Sequence, residues 1–295
     1  MNLLFCSDLH TRSDTPICRL DDFLKVQEDT IDQIYDIAEE NNANVIFAGD
    51  IFNKARPDDA QYLETLLIRK MKEIDTSAIP GQHDLLYHKL ENIDKGSFGV
   101  LRSSVLKNIN ILCEQNTAIN YFSYGVKLEN IDLPQFKIAV LHKYCAKKEI
   151  PFFIRDGITA KDLCDKYDYD LFIVGDNHHG FIYEHKTGQK VINCGCVTRQ
   201  AADFIDYQPK IYLFDTDTKE IKTINLLDND PSVIDISHLE EKKNRDDRIT
   251  SFVEKLEGNV DIDLSFEQNL KVYIQKNKTS TKVEEKIWQA ITLKK

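Results

Sequence analysis

Leu3-Leu4-Phe5-Cys6-Ser7-Asp8-Leu9-His10 and, further on, Asn44-Val45-Ile46-Phe47-Ala48-Gly49-Asp50-Ile51-Phe52-Asn53 decide how this chain is read. Each is a short apolar run closed by acidic, histidine or amide side chains. Short apolar runs bounded by turn-forming residues read as buried strands. The pattern returns at Ser77–Ile79 before Pro80-Gly81-Gln82-His83-Asp84, at Lys137–Leu141 before His142, and at Leu171–Val174 before Gly175-Asp176-Asn177-His178. Metal-ligand side chains at the ends of successive strands are most simply gathered on one edge of a sheet, where they build one site.

The segments between these strands are helical in period. Leu20–Asn41 carries Phe23, Val26, Ile31, Ile34 and Ile37 at mostly helical spacing, and Asp58–Ile74 carries Tyr62, Leu63, Leu66, Leu67 and Met71. A β-α-β-α-β order implies a parallel, layered α/β core. Further strands are expected at Ile109–Cys113, Tyr121–Val126, Lys190–Asn193 and Lys210–Phe214, with fewer helices between them. The second half should therefore form a second, more mixed sheet, making the fold an α/β β-sandwich flanked by helices. Around Asp228-Asn229-Asp230-Pro231 the composition turns polar and charge-rich. Residues 1–231 are expected to form the main domain and 232–295 a small α+β appendage. In that appendage Asn244–Glu257 reads as an amphipathic helix, and the alternation of Leu270, Val272 and Ile274 as a half-buried strand. Thr281 and Glu284 have capping-box spacing before an apolar stripe of Val283, Ile287, Trp288 and Ile291.

No run of about 18 apolar residues is present, so no membrane span is expected, and the N-terminus lacks the basic start and long apolar stretch of a signal peptide. Seven cysteines, an odd number without a Cys-x-x-Cys pair, argue against a disulfide framework and a structural zinc site, and for a reducing cytosol. The net charge of −11 is awkward for a nucleic-acid binder. The acidic excess lies before His238, and a metal pair would cancel about four negative charges where a phosphate must sit.

The clusters suit phosphodiester hydrolysis, which needs an activated water and a way to hold negative oxygens; two divalent ions do both. Asp8 and His10, two apart at a strand end, can face one metal, and Asp50 at the next strand end is the natural bridge. Gln82 offers an amide oxygen, His142 and His178 imidazole nitrogens, and Asp176 a further carboxylate. His88, His179 and His185 fit no ligand position.

Taken in order, Asp8-Leu9-His10, Gly49-Asp50, Gly81-Gln82-His83-Asp84, His142 and Gly175-Asp176-Asn177-His178 resemble the calcineurin-like metallophosphoesterase superfamily. Its motifs run Asp-x-His, Gly-Asp, Gly-Asn-His-Asp/Glu, His and Gly-His-x-His. Gly49 to Pro57, Pro80 to His88, and Asn193-Cys194-Gly195-Cys196-Val197-Thr198-Arg199-Gln200 are similar to the SbcD-type DNA repair nucleases within it, including those of phage recombination complexes. The resemblance covers roughly residues 1–230. It implies two divalent metals held by Asp8, His10, Asp50 and Asp176 or His178, with Gln82 and His142 completing the second site. His83 would meet the phosphate and help the leaving oxygen, and Asp84 would orient His83. Asn53 would lie at the substrate, and Arg199 would either contact phosphate there or brace a loop.

Three positions depart from the pattern. Gln82 replaces the usual Asn, so its amide must come from a different backbone position. Asp176 replaces the first His of Gly-His-x-His, adding oxygen character that favours manganese, or magnesium, over zinc. Asn53 stands where the repair nucleases carry a second histidine. The resemblance implies a manganese-dependent DNA exonuclease, with endonuclease activity as an extension, acting in recombination or repair in a bacterial cytosol or phage-infected host. Its partners would be DNA and an SbcC-like ATPase of the SMC type; a homodimer is allowed and no membrane is involved. The alternative is a stand-alone phosphodiesterase or phosphatase on small nucleotides or phosphoproteins, which the acidic charge suits better.

Overall fold

The computed structural model describes residues 1–106, 117–132, 134–228, 230–237 and 266–292. The strand expected at Ile109–Cys113 and the helix expected at Asn244–Glu257 lie outside them. The chain divides into two compact units, Met1–Ile236 and Ser237–Lys295.

The first unit begins β1 (Asn2–Cys6), α1 (Phe23–Glu40), β2 (Ala43–Phe47), α2 (Ala60–Met71), β3 (Thr76–Ala78), α3 (Ser97–Ser104) and β4 (Thr117–Phe122). It continues β5 (Phe136–His142), β6 (Cys145–Ala146), β7 (Ile158–Thr159), α4 (Ala160–Lys166) and β8 (Leu171–Gly175). The last strands are β9 (Phe181–Glu184), β10 (Lys190–Asn193), β11 (Lys210–Asp215) and β12 (Ile221–Asn225). Two five-stranded sheets result, ordered β12-β11-β1-β2-β3 and β4-β5-β8-β10-β9. β1, β2 and β3 run parallel, as do β4, β5, β8 and β10; β9, β11 and β12 are antiparallel additions. The expected α/β sandwich with flanking helices is therefore the architecture found.

Three apolar layers hold it. Between the sheets, Leu3, Phe5, Ile46 and Ile79 meet Ile138, Val140, Ile173 and Ile192. On the outer face of the first sheet, Leu4, Val45 and Phe47 pack under Ile31, Ile34, Leu63, Leu67 and Phe98 of α1, α2 and α3. On the outer face of the second, Ala139, Leu141, Phe172 and Val174 lie against Ala160, Leu163 and Cys164 of α4. Alternation along each strand thus buries both faces, the expected consequence of covering a sheet on both sides. The first helix starts later than the sequence suggests because the Asp22 carboxylate caps it, accepting from the Lys25 N–H.

Two expectations are corrected. The strand placed at Tyr121–Val126 is β4, and it ends at Phe122. Beyond it the Tyr124 N–H turns away to the Pro80 carbonyl, and Gly125 adopts a left-handed φ of 79°. The strand expected at Leu270, Val272 and Ile274 is part of a helix, Phe266–Lys276. Leu270, Tyr273 and Ile274 also fall at i, i+3 and i+4, so alternation and helical period compete there and the helix wins. The stripe from Val283 onward lies on a helix, Thr281–Thr292.

Of the two roles open to Arg199, contact with phosphate and bracing of a loop, the fully buried side chain takes the second. Its guanidinium meets Asp228 at 3.1 Å, the Asp230 carbonyl at 2.7 Å and the Ile205 carbonyl at 3.1 Å. Arg19, also buried, binds both Asp228 oxygens at 3.0 Å. Asp228 thus bridges two buried cations, and Asp21 supplies the second carboxylate, held by Arg19 at 2.6 and 2.8 Å. Removing one partner of a buried ion cluster costs roughly 3–5 kcal/mol. Asp228→Ala is accordingly expected to lower the thermal midpoint by about 10 °C in a scanning calorimeter, since about 1 kcal/mol moves a domain of this size by 2–4 °C.

Candidate metal centre

The parallel registers decide where the chemistry sits. Cys6 pairs with Phe47 across β1 and β2, and His142 with Gly175 across β5 and β8. Strands so aligned finish together, and the loops after them continue to pair. The N–H groups of Asp8, His10 and Thr11 donate to the carbonyls of Gly49, Asp50 and Ile51 at 2.8–3.0 Å. Asp8, His10, Asp50 and Asp176 all have left-handed backbone, with φ of 53°, 46°, 52° and 83°. Each such residue costs on the order of 1–3 kcal/mol unless its surroundings force it.

This zipped edge brings together Asp8, His10, Asp50, Gln82, His142, Asp176 and His178. Donor atoms lie within 4.8 Å of one another in three sets: Asp8, His10 and His178; Asp8, Asp50 and His142; and His10, Asp50 and His83. Asp50 Oδ2 is 3.7 Å from His10 Nε2 and 3.3 Å from His142 Nε2. His10 Nε2 and His178 Nε2 face each other at 3.1 Å, and each is within 3.7 Å of Asp8 Oδ1.

The residues fit divalent cations on a direct observation. Asp50 Oδ2, His142 Nε2 and Gln82 Oε1 are buried and have no hydrogen-bond partner, and buried polar atoms are ordinarily satisfied. Asp50 Oδ2 and His142 Nε2 face each other at 3.3 Å inside the cluster, and Gln82 joins it through its bond to Asp176. The His142 tautomer is set by its surroundings. Nδ1 lies 2.6 Å from the Ala48 carbonyl, so it carries a hydrogen whatever the charge of the ring, and Nε2 is the nitrogen whose lone pair is freed when the ring loses its second proton. Gly49 makes this possible: a Cβ there would stand 2.2 Å from His142 Nδ1. The Gln82 amide is fixed likewise, its Nε2 donating to Asp176 Oδ1 at 2.6 Å and leaving Oε1 free.

Electrostatics agree. Burial works to lower His142, but the Asp50, Asp8 and Asp176 carboxylates outweigh it and hold the ring up at about 10. Burial also opposes charge on Asp8, yet His10, His178 and His142 keep it below the usual carboxylate range. Burial raises Asp176, with Asp8 and Asp50 adding to the effect, and burial lowers His178.

His83 lies at the seam of two cavities. The larger, about 850 Å³, is also lined by Gln82, His142, Asp176 and His178. The smaller, about 190 Å³, has His10, Asn53, His178 and Gln200 on its wall. The expectation that Asp84 orients His83 is corrected. The Asp84 carboxylate is occupied by three backbone N–H groups, those of Ile51, Phe52 and Gly81, at 2.8–3.2 Å. It clamps the loop after β3 to the loop after β2. The His83 ring is held instead by the Asn53 carbonyl, 2.9 Å from Nδ1. Burial and the nearby Asp50 push Asp84 up to about 7, against those three donors.

Sequence reasoning missed the walls of the larger cavity: Phe122, Tyr124 and Val126 after β4, Tyr144 after β5, and Phe153, Ile154 and Arg155 before β7. Their signal was faint: Phe122, Tyr124 and Val126 fall in the segment that reads as a strand, and the others in stretches that carry no period.

Comparison with known proteins supplies the class. A family model, calcineurin-like phosphoesterase, matches residues 1–180. The chain belongs to that family, and it is accordingly a metal-dependent phosphoesterase of a family that uses two divalent metals. No curated protein sequence matches it. The chain is similar in structure to a dimetal phosphatase from Danio rerio, at TM-score 0.50 and 9% identity over 76% of this chain and 98% of that one. An archaeal phosphodiesterase aligns at TM-score 0.40 and 16% identity, over 77% of this chain and all of that one. Among the described residues, no helix is long and apolar enough to cross a membrane.

Two outcomes are expected. Ligands must shed their protons to bind a cation. With His142 held near 10 in the metal-free protein, manganese binding at pH 7 should release protons and tighten as pH rises towards 9. Calorimetry in buffers of different ionisation enthalpy measures both; no proton release would contradict the ligand set. Gly49→Ala, forced to φ of 101° and against His142, should destabilise the fold by about 1–3 kcal/mol and weaken manganese binding in the same titration.

Proposed function

We propose that this protein is a two-metal phosphodiesterase that cleaves DNA, as an exonuclease with endonuclease capacity, in recombination or repair. The observation that carries the reading is the Asp50 carboxylate set between two groups of converging donors, beside a cavity far larger than one phosphate requires. Asp8, His10, Asp50 and His178 would hold one divalent ion, and Asp50, Gln82, His142 and Asp176 the other. Manganese is the ion favoured by this oxygen-rich set, with magnesium next. Bound there, the pair supplies an activated water and neutralises the phosphoryl oxygens.

The remaining steps belong to the chain's own groups. His83, its Nδ1 hydrogen on the Asn53 carbonyl, presents Nε2 to the phosphate and can hand a proton to the leaving oxygen. Asp84 keeps the loop bearing His83 in place through its three backbone donors. Asn53 lines the smaller cavity together with His10 and His83, within reach of a substrate there.

DNA as substrate and an SbcC-like SMC-type ATPase as partner, with a homodimer as the assembly, extend the resemblance to SbcD-type nucleases. The helix Thr281–Thr292, on which Val283 is about half exposed, is the segment we assign to partner contact. The net charge of −11 favours the second reading, a stand-alone enzyme on small phosphodiesters or phosphomonoesters. Incubation with linear single-stranded and duplex DNA in millimolar manganese separates the two. Degradation supports the nuclease. Turnover of bis(p-nitrophenyl) phosphate with DNA intact favours the second reading.

His83→Ala is expected to slow cleavage by about 100-fold or more while calorimetric manganese binding is retained. Lost binding would make His83 a ligand, a role its place near His10 and Asp50 allows.

A further inference from the structure

His88 fits none of the ligand positions, yet it stands on the wall of the large cavity with Gln82, His83, His142, Asp176 and His178. Its ring lies 6.5 Å from that of His83, centre to centre and nearly perpendicular. Its Nδ1 is 2.9 Å from the Gln82 carbonyl. A carbonyl only accepts, so Nδ1 donates to it, and Nε2 is the atom left for a ligand: an imidazolium ring donates from it to an anionic oxygen. The side chain is exposed, so no packing role accounts for this arrangement.

The backbone is held in place at a cost. Tyr87 and His88 are successive left-handed residues, with φ of 59° and 54°, a conformation that bulky side chains rarely adopt. Neighbours enforce it: Leu85 is buried, the His88 N–H donates to the Leu85 carbonyl at 2.9 Å, and Asn92 Nδ2 donates to the Leu86 carbonyl at 3.0 Å. Strain that surroundings over-determine gathers at ligand sites. Lys127, Lys143 and Arg155 line the same cavity, Lys143 being paired with Asp156. A chain with a large acidic excess therefore gives this cavity three cations beside His88, against the carboxylates of Asp156 and Asp176.

We propose that His88 is a subsite for the backbone phosphate next to the scissile one, so that the centre selects strands carrying consecutive phosphodiesters. The separation of the two histidine rings is comparable with that of successive phosphates along a strand, and a small diester offers His88 nothing to hold. The inference rests on the phosphodiesterase reading above and names its substrate class.

The test uses the manganese-loaded full chain and three substrates: bis(p-nitrophenyl) phosphate, a thymidine dinucleotide with one phosphodiester, and a trinucleotide with two. The unaltered protein should favour the trinucleotide in kcat/KM by about tenfold or more, the worth of a hydrogen bond to a charged group. His88→Ala should abolish that preference while turnover of the other two substrates stays within about twofold. His88→Gly, which accepts the left-handed backbone without strain, should behave the same way. Equal losses on all three substrates would show that His88 acts through Gln82 or His83 and overturn the subsite. Retention of the preference in both variants would overturn it too, while leaving the nuclease reading intact. If the unaltered protein hydrolyses bis(p-nitrophenyl) phosphate and neither oligonucleotide, the nuclease reading fails and takes this inference with it.

Discussion

The buried carboxylate of Asp50 is the point on which the rest of the site depends. Oδ1 accepts the His83 N–H at 2.9 Å, and Oδ2 lies between the imidazoles of His10 and His142. Through this one group the loop after β2 is tied to β1, to the loop after β3 and, across the sandwich, to β5. The approach is close enough that Gly81 must be glycine, because a Cβ there would stand 2.1 Å from Oδ1. A fully buried carboxylate is costly unless a compensating charge accompanies it. Protonated His142 supplies that charge in the metal-free state, and divalent ions would supply it when bound. The demand for a cation is therefore built into the packing of two sheets.

The same logic explains the strained edge. Left-handed residues at Asp8, His10, Asp50 and Asp176 oppose the intrinsic preference of their backbones. They persist because paired strand ends, continued by hydrogen bonds from Asp8, His10 and Thr11, leave the chain no other course. Core burial in three layers stabilises the scaffold, and part of that stability offsets the strain where the ligands converge. Asp84 belongs to this framework. Its three backbone donors make it a clamp between loops, which is why its carboxylate is unavailable to the His83 ring.

What could be read from the chain follows from how local each signal is. Strands that end in Asp8, Asp50, His142 and Asp176 announce themselves within a few residues, because a buried parallel strand is a continuous apolar run. Their common edge follows from topology alone. Side-chain partners across long separations were not legible. Arg199 reads as a phosphate contact or a loop brace alike until the fold brings Asp228 and Arg19 to it, and Asp84 reads as the partner of its neighbour His83 until Ile51 and Phe52 arrive. Leu270 to Ile274 failed for a different reason: a short apolar segment satisfies two periods at once. The cavity walls were hidden because they form only where segments far apart in the sequence meet.

Two of the departures from the family pattern turn out to be one. Gln82 stands where an asparagine is usual and Asp176 where a histidine is usual, and read separately each weakens the site. In the fold they touch, Gln82 Nε2 donating to Asp176 Oδ1 at 2.6 Å. The longer amide reaches the carboxylate, and a carboxylate, unlike a metal-bound imidazole, can accept from it. That bond settles which end of the amide faces the cluster, leaving Oε1 as a buried oxygen without a partner. A shorter asparagine would need a closer backbone to make the same contact, and a histidine at 176 would give the amide nitrogen no carboxylate to bind. The pair exchanges one nitrogen donor for oxygen while preserving the orientation of the amide. The change is a coupled substitution rather than two losses.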